Sequence, residues 1–368
     1  MLTLLALLGG PLLVEGAVRV LVFHPSELAG RLGADLRDPR RFAAPMEDAD
    51  YWKLQHLLAR DDGHIPGSVP HPELGWVRPQ LDPDTLRHRH TPDGRHWRQR
   101  PILLYGASFA GCKVPKDGCF EGLLAASPLG PHWRLFNYGT SGHGAGQALL
   151  LLQRSIDHYT EQRPVVLIGL VIGSDFDRAT LPFRGRPKPY YELVDDELVL
   201  RPLGTDDIEA YLDRHPIEVR SYAWNLLIHG TDLLPRGLAS KLRGLGDSRR
   251  MKGQLWRHLV SRFKDELEAR ELQYAFLLFN REEVVLSDDA MSWRDPFLYQ
   301  AMEDLEVPYL SAKSIMRRAA ERLGADVRDF FQPGNGHPTA LGNQVVLEAV
   351  MKFCQEPEAA LREFGSSP

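Results

Sequence analysis

The stretch Pro164 to Ile172, PVVLIGLVI, carries no charge and is rich in β-branched residues. A strand of that composition has no polar face to offer water, so it must be buried on both sides, as in the interior of a parallel sheet covered by helices. Upstream residues have the matching periods. Ile102 to Tyr105 and Trp133 to Tyr138 read as strands; Gly118 to Ser127 and Gly144 to Tyr159 read as helices between them, the second with leucines and Ile156 at helical spacing. Strand, helix, strand, helix, strand requires right-handed parallel crossovers. Tyr274 to Phe279 and Pro308 to Leu310 supply a fourth and a short fifth strand, with a helix from about Ser311 to Leu323. Pro338 to Phe353 reads as a closing helix with Pro in its first turn and Ala340, Val345, Val346, Ala349 and Val350 on one face. The expected fold class is α/β, with a central parallel five-stranded sheet spanning 101–354.

Other parts interrupt that plan. Residues 178–271 read as an insertion: a hairpin over Tyr190 to Pro202 turning at Asp195-Asp196, then helical stretches at Asp206 to Arg214, Ile217 to Leu227 and Met251 to Glu271. Residues 24–100 are rich in Arg, Pro, His and Asp, with turn signals in HPELGW and TPDGRHW, and are expected as an extended arm with short strands, packed on the domain through Trp52, Trp76 and Trp97. Residues 355–368 read as a tail. The first 23 residues are apolar apart from Thr3, Glu15 and Arg19. Residues 1–23 are expected to form a single N-terminal membrane anchor or a signal-like segment, although Glu15 and Arg19 make a poor spanning helix; the alternative is a buried or surface-docked amphipathic helix.

Composition excludes several function classes. Charged residues are 25% of the chain and the net charge is −5, so neither a nucleic-acid surface nor an electrostatically steered partner is expected. The 14 histidines are scattered, without HExxH or Cys/His metal spacing, and no metal, nucleotide or other cofactor is expected. Of the three cysteines, Cys112 and Cys119 bracket the loop KVPKDG. Free thiols are the expectation; closure by a disulfide in an oxidising compartment is the alternative.

Two short stretches carry the chemistry. PILLYGASF, Pro101 to Phe109, is an apolar strand breaking at Gly-x-Ser, which delivers a hydroxyl to the carboxyl edge of the sheet, where α/β proteins place ligands. GNGHPTALGN, Gly334 to Asn343, offers a histidine just before a helix start. A serine and a histidine brought together suggest acyl transfer by an activated nucleophile. Singly, each has a plainer meaning: Gly-x-Ser also builds phosphate-binding and structural turns, and a histidine before Pro-Thr often enters a helix bonded to backbone. A nucleotide cradle at GASFAG lacks both GxxxxGK[ST] and GxGxxG with a following acid.

In order, four blocks resemble those of the SGNH (GDSL-type) hydrolases: GASF at 106–109, FNYGTSGHGAGQ at 136–147, IGSDFD at 172–177 and GNGHPTALGN at 334–343. The resemblance covers about residues 100 to 350, and HPELGW with the apolar start is similar to membrane-anchored bacterial members. It implies a three-layer, flavodoxin-like fold and a hydrolase of carboxylic or O-acetyl esters of a lipid or glycan, working through an acyl-serine. Ser108 maps onto the nucleophile, His337 onto the general base, the amides of Ser108 and Gly142 onto the oxyanion donors, and Ser174 onto a third donor that is normally Asn. The chain departs further at Ala107, for the Asp of GDS, and at Gly334, where the acid is expected; Asp329, Asn335 or a backbone carbonyl is left to orient His337. His143 and Asp175 are candidate pocket residues, though Asp175 and Asp177 also suit a strand-exit turn. The implied location is the cell envelope, anchored or secreted, with the cytoplasm as the alternative, and the implied partner is a small-molecule or glycan ester. An O-acyltransferase of envelope polysaccharide fits the same chemistry, and a non-catalytic SGNH-like binder fits the losses at Gly334 and Ser174.

Overall fold

The computed structural model describes residues 2–23, 36–44, 48–59, 65–92, 97–229, 249–287 and 292–365. In chain order the strands are β1 (Val69–His71), β2 (Gly75–Val77), β3 (Arg100–Gly106), β4 (Trp133–Asn137), β5 (Val165–Val171), β6 (Tyr190–Val194), β7 (Glu197–Arg201), β8 (Gln273–Phe279) and β9 (Tyr309–Ser311). The chain forms two compact units: Met1–His64, Leu181–Lys188 and Leu203–Arg249 make the first, and Ile65–Thr180, Pro189–Pro202 and Arg250–Pro368 the second.

The second unit holds the five-stranded sheet, in the order β4-β3-β5-β8-β9. All four pairings are parallel, and this is the order of flavodoxin-like doubly wound sheets. Every residue of β5 is buried, as its uncharged sequence requires. Alternate side chains of the strands feed two separate cores. Leu103, Tyr105, Ile168 and Phe276 pack under the helices Ala145–Ser155, Arg249–Glu268 and Arg294–Asp304. Ile102, Leu104, Leu167 and Leu277 pack under Phe120–Ala126, Ala312–Leu323 and Ala340–Gln355. The architecture is therefore three layers, α/β/α.

The stretch 178–271 is not one insertion. Its hairpin does turn at Asp195 and Asp196, both at positive φ (51° and 64°), as a two-residue turn between twisted strands requires. Tyr191 on that hairpin belongs to the sheet core, as do Trp256, Leu259 and Phe263 of the Arg249–Glu268 helix. The expected tail contains a helix, Pro357–Phe364, that buries Ala360 and Phe364 in the opposite core. The closing helix starts at Ala340 with Thr339 as its cap, the hydroxyl accepting from the Gly342 N–H at 3.1 Å. Pro338 is thus not in its first turn but forms a bridge with Phe331.

In the first unit, Leu2–Phe23 is one helix. Among the described residues no helix is long and apolar enough to cross a membrane, so the expected spanning anchor is not found. The charges that interrupt this helix have partners: Glu15 accepts from the N–H groups of Tyr222 and Ala223 (3.0 and 2.9 Å) at the start of the helix Tyr222–His229, and Arg19 pairs with Glu15 at 2.7 Å. Trp52 lies in the helix Ala49–Ala59 of this unit, under the Arg184 guanidinium at 4.7 Å.

Candidate active site

Strand β3 ends at Gly106, and the chain turns at once into a single helical turn, Ser108–Gly111. That turn sits on the loop after β4, glycine to glycine: a Cβ on Gly139 would lie 2.3 Å from the Gly111 nitrogen, and one on Gly111 would lie 2.6 Å from the Gly139 oxygen. Asn137, at the end of β4, ties the two together. Its Nδ2 donates to the Ala110 carbonyl at 2.9 Å and its Oδ1 accepts from the Gly139 N–H at 2.9 Å. Sequence reasoning missed this residue, although an Asn closing a strand before a glycine loop is a signal that can be read.

His337 arrives from the other end of the chain. The segment after Phe331 turns back on itself through Gly334 (φ 81°) and Gly336 (φ 64°), with Gly336 N–H donating to the Gln332 carbonyl and Gln332 N–H to the His337 carbonyl at 3.1 and 2.7 Å. Positive φ is costly for most side chains, which gives a physical reason for glycine at position 334. The turn places His337 Nε2 2.9 Å from Ser108 Oγ. On its other side, Nδ1 is 3.2 Å from the Asn335 carbonyl oxygen. A carbonyl only accepts, so Nδ1 carries the proton and Nε2 is left to accept from the serine hydroxyl, the tautomer a general base needs. The ring lies against Phe109, with centroids 4.8 Å apart.

Among the described residues no carboxylate takes the orienting role. The Asp329 carboxylate accepts from the Asp326 N–H at 3.3 Å, closing a short turn, and its carbonyl accepts from Thr339 Oγ1 at 2.8 Å. Asp329 therefore does not orient His337; the Asn335 backbone does. Burial lowers the His337 pKa below its ordinary value, the Asn335 carbonyl acts in the opposite direction, and the Lys113, Arg178 and Arg281 cations lower it further. The imidazole is thus held neutral near pH 7, with Nε2 open to a proton.

Gly142 lies buried at φ 83° in the loop after β4. Among the described residues, neither its N–H nor that of Ser108 donates to a protein acceptor. The loop is held in place: Thr140 N–H donates to the Gly106 carbonyl at 3.0 Å, and Trp76 Nε1 to the Ser141 carbonyl at 2.9 Å. His143 is fully buried, its Nε2 donating to the Trp76 carbonyl at 2.8 Å, so it braces the loop instead of lining a pocket. The arm segment that carries β1 and β2 thus reaches the site through Trp76.

Ser174 and Asp175 open a short turn after β5. The Ser174 hydroxyl donates to Asp175 Oδ1 at 3.3 Å and is not presented as a third oxyanion donor. Asp175 is 1% exposed, accepts from the Val171 N–H at 2.9 Å and pairs with Arg178 at 2.8 Å. It is a structural ion pair under the site, not a pocket wall. Asp177 is also buried, paired with Arg294 at 2.8 Å. Cys112 and Cys119, expected as free thiols, are joined in a disulfide, because the Lys116–Gly118 turn brings their Cα atoms to 5.8 Å. Among the described residues no cluster of His, Cys, Asp or Glu is suited to a metal ion.

No family model matches the chain, and no curated protein matches it. Among solved structures, it is similar to the psychrotrophic esterase EstA from Pseudoalteromonas sp. at 13% identity, over 71% of this chain and 100% of that one, with a TM-score of 0.38. A member of the lipolytic protein G-D-S-L family from Veillonella parvula gives 12%, 70%, 98% and 0.33 for the same measures. The acetyl xylan esterase AlAXEase gives 11%, 68%, 98% and 0.36. These likenesses do not assign an activity, and the chemistry rests on the chain's own atoms.

Proposed function

We propose that the chain is an SGNH-like serine hydrolase of ester bonds. The observation that carries the proposal is the hydrogen-bonded line from the Asn335 carbonyl through His337 to Ser108, 3.2 and 2.9 Å long. As Ser108 Oγ attacks an ester carbonyl, its proton passes to His337 Nε2, and the oxyanion forms in reach of the Ser108 and Gly142 amides. The imidazolium then returns the proton to the departing alcohol, leaving an acyl-serine. Water repeats the sequence, with His337 as base, and releases the acid.

The missing carboxylate sets the expected pace. Replacing the triad acid by an amide in a serine protease lowers turnover about 10⁴-fold, because the histidine then adopts the wrong tautomer. Here the carbonyl enforces the right tautomer, and what is lost is the charge opposite the imidazolium. A slow but competent esterase is the expected result. The disulfide supports an oxidising compartment.

The test is labelling by a fluorophosphonate together with hydrolysis of a short-chain p-nitrophenyl ester, each compared with Ser108→Ala. Labelling and turnover that vanish in the variant support the proposal. Equal rates in the two proteins would overturn it and leave the non-catalytic binder, which the inward turn of the Ser174 hydroxyl favours.

A further inference from the structure

A second concave site lies beside the turn that carries Ser108. It is a cavity of about 650 Å³, lined along one side by the edge strand β4 and on others by the Cys112–Cys119 loop and by residues 78–90. That volume is in the range of small-molecule sites. Its charge is one-sided: Arg78, Lys116 and Arg134 line it, with His88 and His90, against Glu121 as the one carboxylate among the lining residues. Glu121 is already engaged, 3.7 Å from Arg78 and accepting from Asn137 Nδ2 at 3.0 Å. Among the described residues neither Lys116 nor Arg134 has an ion-pair partner. In a chain whose net charge is −5, this concentration of cations is local.

A histidine stands in the wall among these charges. The pKa of His88 falls to about 4, first through burial and then through the nearby His90, Arg78, Arg134 and Lys116. Its Nδ1 accepts from the His90 N–H at 3.3 Å, so the neutral ring has an Nε2–H to donate. With Arg78 and Glu121 offsetting each other, the Lys116 and Arg134 cations and the neutral N–H donors form a site for an anion. The disulfide loop links this cavity to the chemistry: Lys116 lines the cavity, while Lys113, three residues earlier, acts on His337. The loop carries Lys113 and Lys116 against one acid, Asp117, so its charge is net positive.

We propose that this cavity is an anion-binding subsite that holds a carboxylate or phosphate group of an acidic ester substrate while its acyl group lies at Ser108. The catalytic half of this proposal rests on the ester-hydrolase reading; the binding half does not. Binding is therefore measured on the full-length Ser108→Ala protein, which needs no turnover, by calorimetric titration with oligogalacturonate, inorganic phosphate and, as a neutral control, xylo-oligosaccharide. Preference for either anion over the neutral sugar, weakened about 10-fold or more by Lys116→Gln/Arg134→Gln, supports the subsite; the anion that shows it identifies the source of the charge. Lys116 is exposed, so Lys116→Gln alone serves as a variant with little risk to folding and is expected to weaken the anion several-fold. No preference for either anion, or equal affinity in the variants, would overturn the proposal. Separately, p-nitrophenyl ester hydrolysis by the wild-type chain reads Ser108, so loss of the hydrolase reading would leave a binding result standing and identifiable.

Discussion

The glycine-to-glycine seat of the Ser108 turn gives the sharpest prediction. In Gly139→Ala the new methyl would begin 2.3 Å from the Gly111 nitrogen and needs about 1.1 Å of movement to reach the 3.4 Å of ordinary contact. The loop side cannot easily yield, because Asn137, Thr140, Ser141 and His143 are all hydrogen-bonded in place. The serine turn must therefore absorb most of the shift. Carried to Ser108 Oγ, it would stretch the 2.9 Å contact with His337 to about 4 Å, beyond a hydrogen bond. Misplacement of about 1 Å at a reacting atom costs on the order of 100-fold in rate, while overpacking costs about 1–3 kcal/mol of stability. Gly111→Ala starts from 2.6 Å and needs about 0.8 Å, so its loss should be smaller. Initial rates on p-nitrophenyl acetate, fluorophosphonate labelling rates and thermal melts of the two variants should rank wild type above Gly111→Ala above Gly139→Ala. A folded Gly139→Ala with wild-type turnover would refute the idea that this seat positions the nucleophile.

Three further outcomes are expected. Because burial and nearby cations lower the His337 pKa below its ordinary 6.5, and the neutral ring is the base, kcat/KM should rise with pH to a plateau by neutrality with a midpoint below 6.5; Lys113→Gln should move that midpoint up, and a wild-type midpoint above 7 would contradict the assignment. Asp175→Asn should cost about 3–5 kcal/mol in urea unfolding, since it breaks the buried 2.8 Å pair with Arg178; a cost under about 1 kcal/mol would mean that neighbours such as Asp177 compensate. Opening the short loop by Cys112→Ser/Cys119→Ser should cost roughly 2 kcal/mol by the same measurement, and addition of reductant should shift the wild type but not the variant.

The sheet was legible from periodicity because parallel strands must be apolar on both faces: all five were anticipated, with ends off by a residue or two. The hairpin turn at Asp195-Asp196 was legible for the same kind of local reason. The Arg294–Asp304 helix was not. Its sequence, RDPFLYQAMED, has a proline in its first turn and a weak apolar stripe, and it is the packing of Leu298, Tyr299 and Met302 into the sheet core that holds it as a helix. At the site, Ser108 and His337 were readable as residue types in the right order, and their meeting depends on topology. The group that orients His337 was not specified by a side chain, because any residue can present a carbonyl; the short turn through Gly334 decides which one does. Likewise Ser174 and His143 have side chains suited to a pocket, and it is Asp175, next in the chain, and Trp76, distant in it, that turn them inward.

The hairpin of β1 and β2 has a practical consequence for anyone trimming this protein. A boundary set at Arg100, where the first sheet strand begins, would look sensible by sequence yet would excise Trp76 and Leu74, whose main chain receives His143 and Gln147 at 2.8 Å each. The shortened polypeptide would strip the hydrogen-bond acceptors from two buried polar side chains, one of them next in the chain to Gly142. Residues from Ile65 onward must stay with the sheet unit in any fragment used to test for ester hydrolysis.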